Sequence, residues 1–101
     1  MKNLGEMMKQ AQKLQKQMAE AQERLAEERF EASAGGGVVK AVVDGKQMLK
    51  ELSIGPEALR DGDVTLLEDL IVAAVGEAQR ASEARMQETL GKLTGGLGLP
   101  F

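Results

Sequence analysis

Leu4-Gly5-Glu6-Met7-Met8-Lys9-Gln10-Ala11-Gln12-Lys13-Leu14-Gln15-Lys16-Gln17-Met18-Ala19-Glu20-Ala21-Gln22-Glu23-Arg24-Leu25-Ala26-Glu27-Glu28 places apolar residues at 4, 7, 11, 14, 18, 21 and 25. The intervals alternate between three and four, a repeat of about 3.5 residues, which is the seam of a coiled coil or helical hairpin. Gly5 is the only helix breaker, and Lys, Gln, Glu, Ala, Met and Leu, all good helix formers, dominate. At about 1.5 Å per residue the stretch predicts a rod roughly 37 Å long. A small domain cannot cover so long a seam, so part of it is expected to meet another chain.

Charge is segregated along this rod. Residues 1–19 hold Lys2, Lys9, Lys13 and Lys16 against Glu6, whereas residues 20–31 hold Glu20, Glu23, Glu27, Glu28 and Glu31 against Arg24 and Arg29. The lysines follow one another at intervals of seven, four and three, so they share one helical face. The first half reads as a basic arm and the second as an acidic root. The plainer reading is a solvated face that keeps the helix soluble.

The composition narrows the function. The chain has 101 residues, the size of one domain, and its net charge of −3 excludes a generic polycation. Contact with nucleic acid would have to come from a local patch. With neither Cys nor His there is no disulfide, thiolate metal site or imidazole base, and no cofactor is expected. Two phenylalanines are the only aromatics, which argues against base stacking. No apolar run approaches the ~20 residues of a membrane span, and the N-terminus has no signal-peptide core. The expectation is a cytoplasmic protein that binds neither membrane nor small-molecule substrate.

Beyond the rod, Phe30, Ala32 and Ala34 alternate with polar residues as in a short strand, and Gly35-Gly36-Gly37 reads as its turn. Val38–Val43 is the strongest strand pattern, with Val39, Ala41 and Val43 on one face. Asp44-Gly45 predicts a type I′ hairpin turn. A third strand from about Gln47 to Ile54 would align Met48, Leu52 and Ile54 with Lys50, whose charge marks an edge or a strand end. Gly55-Pro56 ends that strand, and Pro56-Glu57-Ala58-Leu59 reads as one helical turn. A second long helix follows, capped by Asp63 or by a Thr65–Glu68 box. Leu66, Leu67, Leu70, Ile71, Val72, Ala73, Ala74, Val75 and Ala78 make it apolar on more than one side. Gly76 inside it reads as a close approach or a tolerated defect. Residues 95–101 form an apolar, glycine-rich tail.

The predicted fold is α+β. It has a long N-terminal helix, a three-stranded antiparallel β-meander and a long C-terminal helix, with 1–28 as arm, 29–55 as meander, 63–94 as second helix and 95–101 as tail of one domain. The thin core and the doubly apolar second helix make a homodimer the economical assembly.

Met7-Met8-Lys9-Gln10-Ala11-Gln12-Lys13-Leu14-Gln15, Gly36-Gly37-Val38-Val39-Lys40-Ala41 with Gly45, Leu67-Glu68-Asp69-Leu70-Ile71-Val72-Ala73-Ala74 and Leu99-Pro100-Phe101 follow one another in this order and spacing. In them the chain resembles, along nearly its whole length, the YbaB/EbfC family of nucleoid-associated proteins. Gly76-Glu77 and the bare glycine turn depart from the family pattern. The resemblance implies a tweezer-like homodimer that binds double-stranded DNA in the nucleoid without catalysis. Lys2, Lys9, Lys13 and Lys16 are the expected DNA-binding residues, with Gln10, Gln12 and Gln17 as polar helpers, and contacts to phosphates predict little sequence specificity. Arg80, Arg85 and Lys92 form a candidate second patch, or ordinary exposed charges paired with Glu77, Glu83 and Glu88.

Two other readings compete. Catalysis would have to rest on carboxylates such as Glu68 and Asp69, which diverge on a helix, and no phosphate-binding glycine motif is present. A protein-interaction module is the stronger alternative: the heptad seam, with Met7, Met8 and Met18, would take a partner helix.

Overall fold

The computed structural model describes residues 3–95. Helix α1 runs Leu4–Glu27, and Asn3 begins it by accepting the Glu6 amide on its side-chain oxygen at 2.8 Å. The 24 residues give a rod about 36 Å long. Glu28, in extended conformation, is the single residue joining α1 to strand β1 (Arg29–Ala34). Strands β2 (Val39–Asp44) and β3 (Leu49–Ile54) complete an antiparallel sheet of order β1-β2-β3. A 3-10 turn at Pro56–Leu59 leads to helix α2, Val64–Gly95. The fold is therefore the predicted helix–meander–helix, drawn out to 70 × 22 × 16 Å.

Pairing aligns Ala34 with Val39, Ala32 with Ala41 and Phe30 with Val43, so these residues share one face. Helix α2 packs that face across β1 and β2. Val39, Ala41 and Ala74 form the buried centre, flanked by Ala34, Val38, Leu67, Leu70, Ile71 and Val75. Small side chains let the helix lie close to the sheet but bury little apolar area. The opposite face carries Glu31, Ser33, Lys40, Glu51 and Ser53, and faces water.

The structure chooses between the two caps of α2. Leu66 donates its amide to the Asp63 carboxylate at 3.0 Å, which makes Asp63 the N-cap. Gly35, Gly36 and Gly37 all have positive φ, as a turn of that shape requires. Gly76 marks no close approach of another backbone: a β-carbon there would meet only the Arg80 guanidinium, at 3.4 Å.

Two details of the meander differ from the sequence reading. The β2–β3 connection is not a type I′ turn. Asp44 N–H donates to Met48 O at 2.9 Å and Gln47 N–H to Asp44 O at 3.1 Å, closing a three-residue loop. Gln47, not Gly45, takes the left-handed conformation, at φ 68°. The Asp44 carboxylate stabilises this loop by accepting the amides of Lys46 and Met48.

The second difference is a bulge. Val42 pairs with Glu51 and Val43 with Leu49, leaving Lys50 as the extra residue. Leu49 therefore replaces Met48 on the face shared with Leu52 and Ile54. Lys50, whose ammonium lies 3.7 Å from Asp44, leaves the apolar register.

Candidate nucleic-acid interface

The seam of α1 is covered only at its root. Ala21 and Leu25 are buried, Leu14 and Met18 half-buried, and Leu4 and Met7 remain 72% and 56% exposed. The root packs against the C-terminal half of α2 and the end of β2, while the first half of α1 projects.

On the projecting half Lys9, Lys13 and Lys16 are all exposed. At about 100° per residue they fall within roughly 60° of one another and, on average, about 130° from the Ala21–Leu25 stripe. Among the described residues no carboxylate lies within ion-pair distance of any of the three. Their Cα positions span about 10 Å of helix axis. Gln10 and Gln12 are exposed beside them, whereas Gln17 is half-buried. Lys2 lies outside the described residues.

The candidate second patch has a different character. Arg85 sits 3.2 Å from Glu28 and 3.7 Å from Glu88, and Lys92 sits 3.3 Å from Glu88. Two of its three cations are thus engaged with acids, while Arg80 is exposed. Arg24, in sequence a cation of the acidic root, lines a cleft of about 320 Å³ with Arg85 and Lys92 between the two helices. Only tertiary packing brings these residues together, since Arg24 and Arg85 lie far apart in the chain.

Asp44 is the buried charge of the described chain, 2% exposed. Burial alone would push its pKa up. The amides of Met48 and Lys46, with the charges of Lys50 and Arg29, outweigh that and hold the carboxyl below the usual carboxylate value. Among the described residues no group of three or more His, Cys, Asp or Glu is placed to hold a metal ion. No helix there is long and apolar enough to cross a membrane.

The fold defines a class: an α+β helix–meander–helix domain whose first helix projects from the sheet. The crystal structure of an uncharacterised Helicobacter pylori protein shares it with a TM-score of 0.86, covering 93% of this chain and 99% of that one at 16% identity. The chain belongs to the YbaB/EbfC DNA-binding family, whose sequence profile matches residues 1–97. Among its relatives, a nucleoid-associated protein of Alkaliphilus metalliredigens is 46% identical over 98 residues, 97% of this chain and 86% of that protein. A nucleoid-associated protein of Acetivibrio thermocellus is 47% identical over 96 residues, 95% and 85% of the two chains. One of Desulforamulus reducens is 48% identical over 98 residues, 97% and 93% of the two.

Proposed function

We propose that the protein binds duplex DNA in the nucleoid as a homodimer, through phosphate contacts from the basic faces of two projecting α1 arms. The observation that carries this reading is the Lys9–Lys13–Lys16 face: three exposed ammonium groups, clear of carboxylates, on a helix that stands away from the body. Lysine contacts phosphate as a point charge and reads no base, so binding is largely independent of sequence. Gln10 and Gln12 add hydrogen bonds to the backbone of the duplex. Lys2 belongs to the same face by its spacing, and Arg80, Arg85 and Lys92 act as a weaker second patch.

The homodimer is supported by the apolar surface that one chain leaves open. Leu49, Leu52 and Ile54 of β3 are 45%, 41% and 39% exposed, and Leu66 and Val72 of α2 are 53% and 71% exposed. A second copy covering this surface would remove the exposed edge strand and bury the other side of α2. Two protomers then hold two arms a fixed distance apart, able to straddle a duplex.

The exposure of Leu4, Met7 and Met8 favours a second reading, in which the uncovered seam takes a partner helix. Salt separates the two. Fluorescence anisotropy with labelled duplex across a salt series is expected to show steep weakening, about −0.9 in log–log slope per phosphate neutralised. The Lys9→Glu/Lys13→Glu/Lys16→Glu variant, checked to keep its oligomeric state, is expected to lose the binding. If the wild type fails to bind duplex at low salt, the DNA reading falls; if the variant binds equally well, the arm is not the site.

A further inference from the structure

The three-residue loop between β2 and β3 touches both helices. On the α2 side, Ser82 is fully buried; its hydroxyl donates to Asp44 O at 2.7 Å and accepts the Gln47 amide at 3.2 Å. Gln79 adds a bond from its side-chain amide to Gln47 O at 3.2 Å. These contacts tie the loop to the middle of α2.

On the α1 side, Gly45 N–H donates to Leu25 O at 2.7 Å, two residues before the end of the helix. A β-carbon at Gly45 would overlap that carbonyl oxygen and stand 2.9 Å from Leu25 Cα. Gly45 does not have positive φ, so this approach, rather than turn geometry, is what requires a glycine.

The connection from α1 to β1 is Glu28 alone, a joint that without cross-ties would swing about its own dihedrals. One cross-tie is the Arg85–Glu28 pair, but it is exposed and screened by solvent. The buried relay from Leu25 to Gly45, through Asp44 and Gln47 to Ser82, is shielded from water and stronger for it.

We propose that this loop is the joint that sets the angle at which α1 leaves the body, with Gly45 and Ser82 as positioning residues for the DNA grip. For DNA binding this rests on the arm reading above; for arm geometry it stands on the contacts alone. A duplex is rigid, so arms held at one angle meet phosphates without first losing their own freedom.

The chain has no native cysteine, so Gln15→Cys and Gln87→Cys, both at exposed positions, accept spin labels cleanly. Doubly labelled chain diluted into unlabelled chain reports the α1–α2 distance within one protomer. The parent is expected to give one narrow distribution. Gly45→Ala and Ser82→Ala are expected to shift or broaden it, while Gly91→Ala, where a β-carbon meets nothing, leaves it unchanged. The first two should weaken duplex binding by about tenfold, the order of a few lost charge contacts, with helix content and oligomeric state retained. Should Gly45→Ala not fold, Ser82→Ala, which adds no atom, carries the comparison. An unchanged distribution in the folded variants overturns the joint. A shifted distribution with unaltered duplex affinity overturns the positioning role. A wild type that binds no duplex removes the DNA consequence, and the distances still decide the joint.

Discussion

Asp44 keeps its charge while buried because two amides and two cations face it. Its pKa is lowered on folding, so the unfolded chain takes up the proton first as pH falls. Its contribution is complete above the unfolded carboxylate value of about 3.9 and is lost as pH falls through the lower folded value. Thermal unfolding from about pH 6 to pH 3 should therefore show the advantage of wild type over Asp44→Asn shrinking toward the acid end; a constant difference would remove Asp44 as the titrating group. Glycine offers a test of opposite sign. Gly91 lies inside α2 with open space around it, so Gly91→Ala should raise stability by about 0.5–1 kcal/mol through lost unfolded-state entropy and better helix propensity. Denaturant unfolding checks this. Asn3 is hard to tell from sequence as a cap, because an Asn before a helix is also an ordinary surface residue. The signal was its place immediately before the first periodic residue.

Among the elements, α1 shows how one periodic pattern serves two environments. The same repeat that buries Ala21 and Leu25 leaves Leu4 and Met7 in water, because α2 and the sheet reach only the root. Leu25→Ala should cost about 2–5 kcal/mol in chemical denaturation, as a large-to-small change at a buried site, whereas Met7→Ala should cost far less. A similar loss for both would mean that the outer seam is covered in solution. The strands carry a different lesson. Period-two alternation correctly placed Val39, Ala41 and Val43 on the buried face. It misplaced Met48, because a single extra residue at Lys50 reverses every side chain beyond it. Nothing in the local pattern marks that bulge. The ion pair of Lys50 with Asp44 stabilises it across the hairpin.

For the whole molecule, the open surface of β3 and α2 is the test of assembly. If the proposed homodimer forms, Leu52→Glu, on the open face of β3, should shift sedimentation from dimer toward monomer with the helices retained. A dimer unchanged by that substitution would place the interface elsewhere. If two arms each present Lys9, Lys13 and Lys16, about six phosphates are neutralised, and the log–log salt slope of duplex binding should approach roughly −5. A slope near −2 or −3 would mean that one arm alone engages the duplex.

The order of elements, the basic face of α1 and the family are legible in the amino-acid order, because helical and strand periodicities and lysine spacing are local properties of the chain. It also carried the second apolar side of α2, visible as residues too numerous for one stripe. The choice of cap at α2, the position of the bulge, the role of Gly45 as a contact rather than a turn glycine, and the meeting of Arg24 with Arg85 and Lys92 emerge from the folded chain alone. The last two depend on groups far apart in sequence meeting at one place, Leu25 with Gly45 and Arg24 with Arg85, whereas the cap and the bulge turn on which of several local hydrogen-bond patterns the folded chain adopts. Local propensity does not encode such meetings, and packing and backbone hydrogen bonding impose them.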